Sequence, residues 1–290
     1  MSHFSFWPNA FHGLDFLFTG LLTGGLLFKV FIMPAGGPQA GSLDRWDLAR
    51  VRIYGLAAFS TSFAWLVFKG NEISEVRSWV GIQSVIVGTS FGHKMILRLA
   101  LLVGVSVLLR LRHLSVAAFL SLLLPFSSSL MGHASAQLTF SWLDIGIDYI
   151  HFLCVSFWTG GVVALWFWLG QCIFKKYSIN ILDVVKRFSK AAVAATAGIV
   201  GAGLSLAWRY GVPFSAPWQS DYGRWLLVKA GLFIMALIFA SVNHFLHLKR
   251  WDTSQSLISA GKIRREIGSE MLLIVLVYIV AGLLTGTALP

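Results

Sequence analysis

Charge is scarce in this sequence. Only 12% of its 290 residues are Asp, Glu, Lys or Arg, whereas a soluble globular protein carries about 25%. That deficit excludes an ordinary water-soluble domain. Acidic residues are the scarcer kind, 12 against 23 Lys and Arg, which leaves a net charge of +11. The basic residues cluster at the ends of apolar runs and form no single soluble face, so nucleic acid is not an expected partner. Cysteine is nearly absent. Cys154 and Cys172 lie in one apolar run, roughly 27 Å apart on a helix, and cannot pair within the chain. They therefore say nothing about the redox compartment. There is no G-x-x-x-x-G-K-[ST] loop, no H-E-x-x-H and no C-x-x-C. Nucleotide-driven pumping and metallohydrolase chemistry have no visible residues, and no catalytic group is assigned. The N-terminus lacks the basic region and small-residue cleavage site of a signal peptide. The first apolar run is expected to be a retained helix.

What is abundant is apolar sequence, at 57%. Eight runs are long enough to span a bilayer: 11–33, 51–68, 93–110, 114–132, 142–170, 188–208, 224–247 and 268–288. The stretch 71–92 is semi-apolar and reads as an interfacial helix or packed loop. No gap between runs could hold an extramembrane domain of ordinary size. The fold class is all-α, a polytopic membrane protein of eight transmembrane helices. Of the 23 Lys and Arg, 15 fall in the connections after runs 1, 3, 5 and 7, and 5 on the opposite side. The richer side is expected to be cytoplasmic, with both termini on the periplasmic side.

The runs repeat. Phe16-Leu17 and Thr23-Gly24-Gly25 match Phe152-Leu153 and Thr159-Gly160-Gly161. His12 then aligns with Asp148, and Asp15 with His151. Gly92 precedes Arg98 by six residues, as Gly223 precedes Lys229. These matches predict two parallel four-helix repeats, 1–135 and 136–290, related by an axis along the membrane normal.

The ionisable residues inside these runs are the functional candidates. Asp144, Asp148, His151, Val155 and Trp158 share one face of the fifth helix. His151 lies roughly 13 Å down that helix from Trp142, well inside a core about 30 Å thick. A metal or proton-relay role for His151 competes with a structural histidine bonded to a neighbouring helix. Asp148, one turn earlier, is a second-shell partner or co-ligand, and Cys154 a possible thiolate that is more commonly packing. His12 and Asp15 share a face of the first helix. If the halves face each other, His12, Asp15, Asp148 and His151 would converge, with His133 at the rim. Such a set suits Cu(II) or Zn, and added Met131 or Cys154 shifts it toward Cu(I). His12 and His133 could equally be an interfacial and a solvated loop histidine.

Met131-Gly132-His133-Ala134, Asp148-x-x-His151 and Trp158-x-Gly160-Gly161 together resemble the copper resistance protein D (CopD/PcoD) family. So do Arg187-Phe188-Ser189, Tyr222-Gly223 with Lys229, and Glu270 with Pro290. The resemblance covers most of the chain and is strongest from 130 to 290. It implies an eight-helix inner-membrane protein of copper homeostasis that moves copper from periplasm to cytoplasm beside a periplasmic carrier of CopC type. No CopC-like domain is fused here, so such a carrier is expected to be a separate protein. The expected cofactor or cargo is a copper ion, with His151, His133 and His12 as ligands and Asp148, Asp15, Met131 and Cys154 around them. Two other functions remain possible on the residues alone. One is a b-type haem or quinone-linked oxidoreductase using the same histidines. The other is a copper-delivery or assembly factor without transport.

Overall fold

The computed structural model describes residues 6–33, 40–75, 78–132, 141–175, 181–243, 256–285 and 287. The described residues form helices almost throughout. They are α1 (Phe6–Leu27, continued by a π turn at Phe28–Ile32), α2 (Ala40–Ser74), α3 (Trp79–Gly88), α4 (Ser90–Arg110), α5 (Leu114–Ser121) and α6 (Leu123–Ser129). After these come α7 (Trp142–Lys175), α8 (Ile181–Arg209), α9 (Asp221–Asn243) and α10 (Ser256–Leu284). Seven helices among the described residues are long and apolar enough to cross a membrane. The protein is therefore a multi-pass membrane protein.

The expected fourth span, 114–132, is not one straight helix. It breaks between α5 and α6 at Leu122, where the N–H turns to the Phe119 carbonyl. Pro125 follows in the first turn of α6 and supplies no N–H. Ser121, Ser127 and Ser128 donate their hydroxyls back to carbonyls three or four residues earlier, a pattern that bends helices. Hydropathy counts this segment as apolar and is blind to the break.

The core is organised on α1 and α7. In their most apolar stretches 67% and 61% of the residues are buried, against 11% in α9, so α1 and α7 are central and α9 is peripheral. They cross at glycines. A Cβ on Gly160 would lie 2.6 Å from the Gly20 carbonyl oxygen and 2.7 Å from the Gly24 Cα. A Cβ on Gly24 would run into the Ser156 carbonyl. Only backbone-to-backbone contact fits there, as small residues permit in membrane helix pairs. Gly13 of α1 and Gly282 of α10 make a second close approach, with a Cβ on Gly282 falling 2.7 Å from the Gly13 Cα.

Each half also has a helix started in the same way. The N–H of Gly92 donates to Thr89 Oγ1 at the start of α4, and the N–H of Gly223 donates to Ser220 Oγ in the first turn of α9, both at 3.0 Å. Hydroxyl acceptors of this kind satisfy the open N–H groups of a first turn.

Candidate metal site

The first half buries a charge pair. Asp15 of α1 and Arg98 of α4 are both fully buried and meet at 2.7 Å. The guanidinium is saturated with acceptors. Its Nε donates to Ser62 Oγ, its Nη1 to the Leu124 carbonyl, Ser127 and Ser128, and its Nη2 to Thr19. Ser62 in turn donates to the Asp15 carboxylate through a very short bond. Four helices, α1, α2, α4 and α6, are thus tied to one fork-shaped cation. Asp15 was expected beside a metal; its carboxylate is engaged with Arg98 and Ser62.

His12 lies one turn from Asp15 and is 5% exposed. Its ring stacks on Trp65 of α2, centroids 3.7 Å apart, and leans on Phe16. Its Nδ1 is 3.3 Å from Thr285 Oγ1 at the end of α10. The Thr285 hydroxyl gives its one proton to the Gly282 carbonyl, so Thr285 accepts and His12 Nδ1 is the donor. That fixes the tautomer: Nε2 carries the lone pair.

The second half arranges the same chemistry differently. His151 Nδ1 is 3.1 Å from the Ile199 carbonyl of α8. A carbonyl can only accept, so here too Nδ1 carries the proton and Nε2 the lone pair. Gly203 leaves room for the ring, since a Cβ there would be 3.3 Å from His151 Cε1. Asp148 accepts a hydrogen bond from Ser129 of α6 and lies close to Gly132, 3.8 Å from where its Cβ would be. Lys229 of α9 acts electrostatically on both Asp148 and His151. Cys154 packs against Gly198, a Cβ there falling 2.6 Å from its sulfur. Asp144 is bonded to Arg209 and closes the outer end of this face.

The structure thus brings some candidates together and separates others. Asp148 meets the Met131-Gly132 end of α6. Met131 packs against the cluster that holds Trp65, the residue stacked on His12. The two His–Asp pairs do not converge on one point, because His12 turns to α2 and α10 while His151 turns to α8. Among the described residues no three His, Cys, Asp or Glu side chains gather as a metal cluster. His133 lies outside the described residues. Missed from the sequence were Trp65, Met95, Thr285 and Ser129. Each sits within a helical turn of a recognised charge, or of its acceptors, across a helix contact that spacing along one helix does not reveal.

Two family models match the chain. Residues 10–140 match the copper resistance protein D-like N-terminal domain, and residues 182–284 match copper resistance protein D. A similar protein is the copper transport protein CutJ of Bacillus subtilis (strain 168), 28% identical over 172 residues. That alignment covers 59% of this chain and 30% of the relative, so the chain spans under a third of that protein's length. No solved structure matches. With one model on each half of the chain and both describing the same protein family, the chain belongs to the copper resistance protein D family.

Proposed function

We propose that this protein carries copper across the bacterial inner membrane, from periplasm toward cytoplasm, by way of buried histidines. The observation that carries the reading is the shared state of His12 and His151. Each donates from Nδ1 to a fixed acceptor, which orients the ring and raises the basicity of Nε2. Metal-ligating histidines are held in this way. Copper suits imidazole with carboxylate or sulfur nearby. In this reading copper arrives near His133, meets His12 and Met131, passes Asp148 to His151, and leaves at the basic inner loops. Asp15 contributes from outside the ligand set, through Arg98. A separate periplasmic carrier of CopC type delivers the metal, and both termini face that side.

The two-repeat architecture, 1–135 and 136–290, belongs to the same proposal. A pseudo-two-fold axis makes equivalent residues touch each other. Phe16 and Phe152, matched by sequence, pack edge to face at 4.9 Å. Gly24 and Gly160, also matched, cross in backbone contact. Asp15 with Arg98 in one half corresponds to His151 with Lys229 in the other. One half would then hold a structural ion pair where the other holds an ion-binding face.

The test is metal content together with an absorption spectrum, on wild type and His151→Ala purified in detergent, copper-loaded and desalted. Wild type is expected to retain copper, the variant less, and neither to show a Soret band. Equal copper in both proteins would remove His151 from the path. A Soret band would favour haem chemistry over copper transport.

A further inference from the structure

The copper proposed above has two oxidation states, and the donors beside His12 choose between them. The Asp15–Arg98 pair fixes the register of four helices. Asp15, Ser62, Arg98 and the Ser127-Ser128 pair form one polar layer, as their hydrogen bonds require. Successive helices alternate in direction. One turn from that layer, about 5.4 Å, is reached backwards along α1 and α4 and forwards along α2 and α6. The residues found there are His12, Met95, Trp65 and Met131. Packing agrees with this register. His12 stacks on Trp65. Met95 is fully buried in one cluster with Trp65, and Met131 packs against that cluster. Met131 is anchored by its N–H to the Ser128 carbonyl at 2.9 Å, next to an acceptor of Arg98.

We infer that His12, Met95 and Met131 form a Cu(I) site of one imidazole and two thioethers, with Trp65 holding the imidazole in place. Thioether is a soft, uncharged donor that favours Cu(I) over Cu(II), Zn and the hard cations, and neutral imidazole is an uncharged donor that serves copper as well. The site carries no net charge of its own. The nearest charges, Asp15 and Arg98, neutralise each other one turn below. A monovalent ion therefore suits this layer better than a divalent one. The floor is closed by that ion pair, and the layer adjoins Gly132 and so Asp148. This rests on the copper reading above and names the species it acts on.

The test uses detergent-purified full-length protein, ascorbate-reduced copper under anaerobic conditions and a chromophoric Cu(I) chelator as competitor. X-ray absorption of the loaded wild type is expected to show sulfur scatterers beside nitrogen. Met95→Leu and Met131→Leu conserve volume and are each expected to weaken Cu(I) binding roughly tenfold or more, with Cu(II) binding unchanged. A copper shell of nitrogen and oxygen alone would overturn the site without any variant having to fold. Wild-type Cu(I) affinity in both leucine variants would overturn it too. Copper influx by wild type with no sulfur ligation keeps transport and rejects this site. Sulfur-ligated Cu(I) without influx keeps this site and rejects transport.

Discussion

Arg98 shows what a single residue can hold in a membrane protein. A guanidinium in hydrocarbon is costly, and here every nitrogen meets an acceptor on α1, α2, α4 or α6. Removing the cation leaves Asp15 buried without its charge partner. Arg98→Met is expected to cost about 3–5 kcal/mol, read as lowered stability in a detergent unfolding titration. Asp15→Asn combined with Arg98→Met should lose less than the single Arg98 change, because no orphan charge remains. A single variant as stable as wild type would show that the pair contributes nothing. At this scale the sequence was partly legible. His12, Asp15, Arg98 and His151 were conspicuous because ionisable groups inside apolar runs are rare. Their partners were not. Three-residue spacing puts His12 and Asp15 on one face of α1 but does not say which helix that face meets. Met95 was illegible for another reason: a methionine in an apolar run looks like any core side chain.

At the scale of elements, the α1–α7 crossing sets where everything else can go. It depends on the absence of side chains at Gly24 and Gly160. Gly160→Val places branched carbon into the Gly20 and Gly24 backbone. The expected loss is at the upper end of overpacking, about 3 kcal/mol. Gly146→Ala makes a control on the same helix, since a Cβ there meets nothing within 4 Å, and should be near neutral. Thermal unfolding of the two variants in detergent checks both; equal melting would remove the crossing from its central place. Both Thr-Gly-Gly patches were visible as small-residue patches in the sequence. That they meet each other was not legible there, since small residues show that a close approach is allowed and not which helix makes it. The helix count was less legible. Hydropathy rises across 114–132 whether or not the backbone is continuous, so the break at Leu122 and the serines bonding backwards left no signal in it.

The whole molecule has an apolar outside suited to lipid and charged groups held inside. Leu204 and Leu272, on α8 and α10, expose large apolar side chains, as do many residues along the peripheral helices, which suits a bilayer and would be a liability in water. Exposed Trp7, Trp79, Trp142, Trp208 and Trp218 lie at helix ends and connections. Tryptophan is enriched at both membrane–water interfaces, so these rings mark where helices leave the bilayer and do not choose a side. Inside, two charged patches stand out among the described residues, Asp15–Arg98 with the His12 layer and Asp148–Lys229 with His151, beside other buried polar groups such as Glu270 and the Thr159–Tyr278 pair. The end of α6 lies between the two charged patches.

The most direct measurement is copper influx into sealed proteoliposomes holding the purified protein, followed with a copper-sensitive dye trapped inside. The account predicts influx for wild type under reducing conditions, lost in His12→Ala and in His151→Ala, and retained in Gly146→Ala. Influx that persists at wild-type rate in both histidine variants would contradict it, and so would a folded wild-type protein that admits no copper.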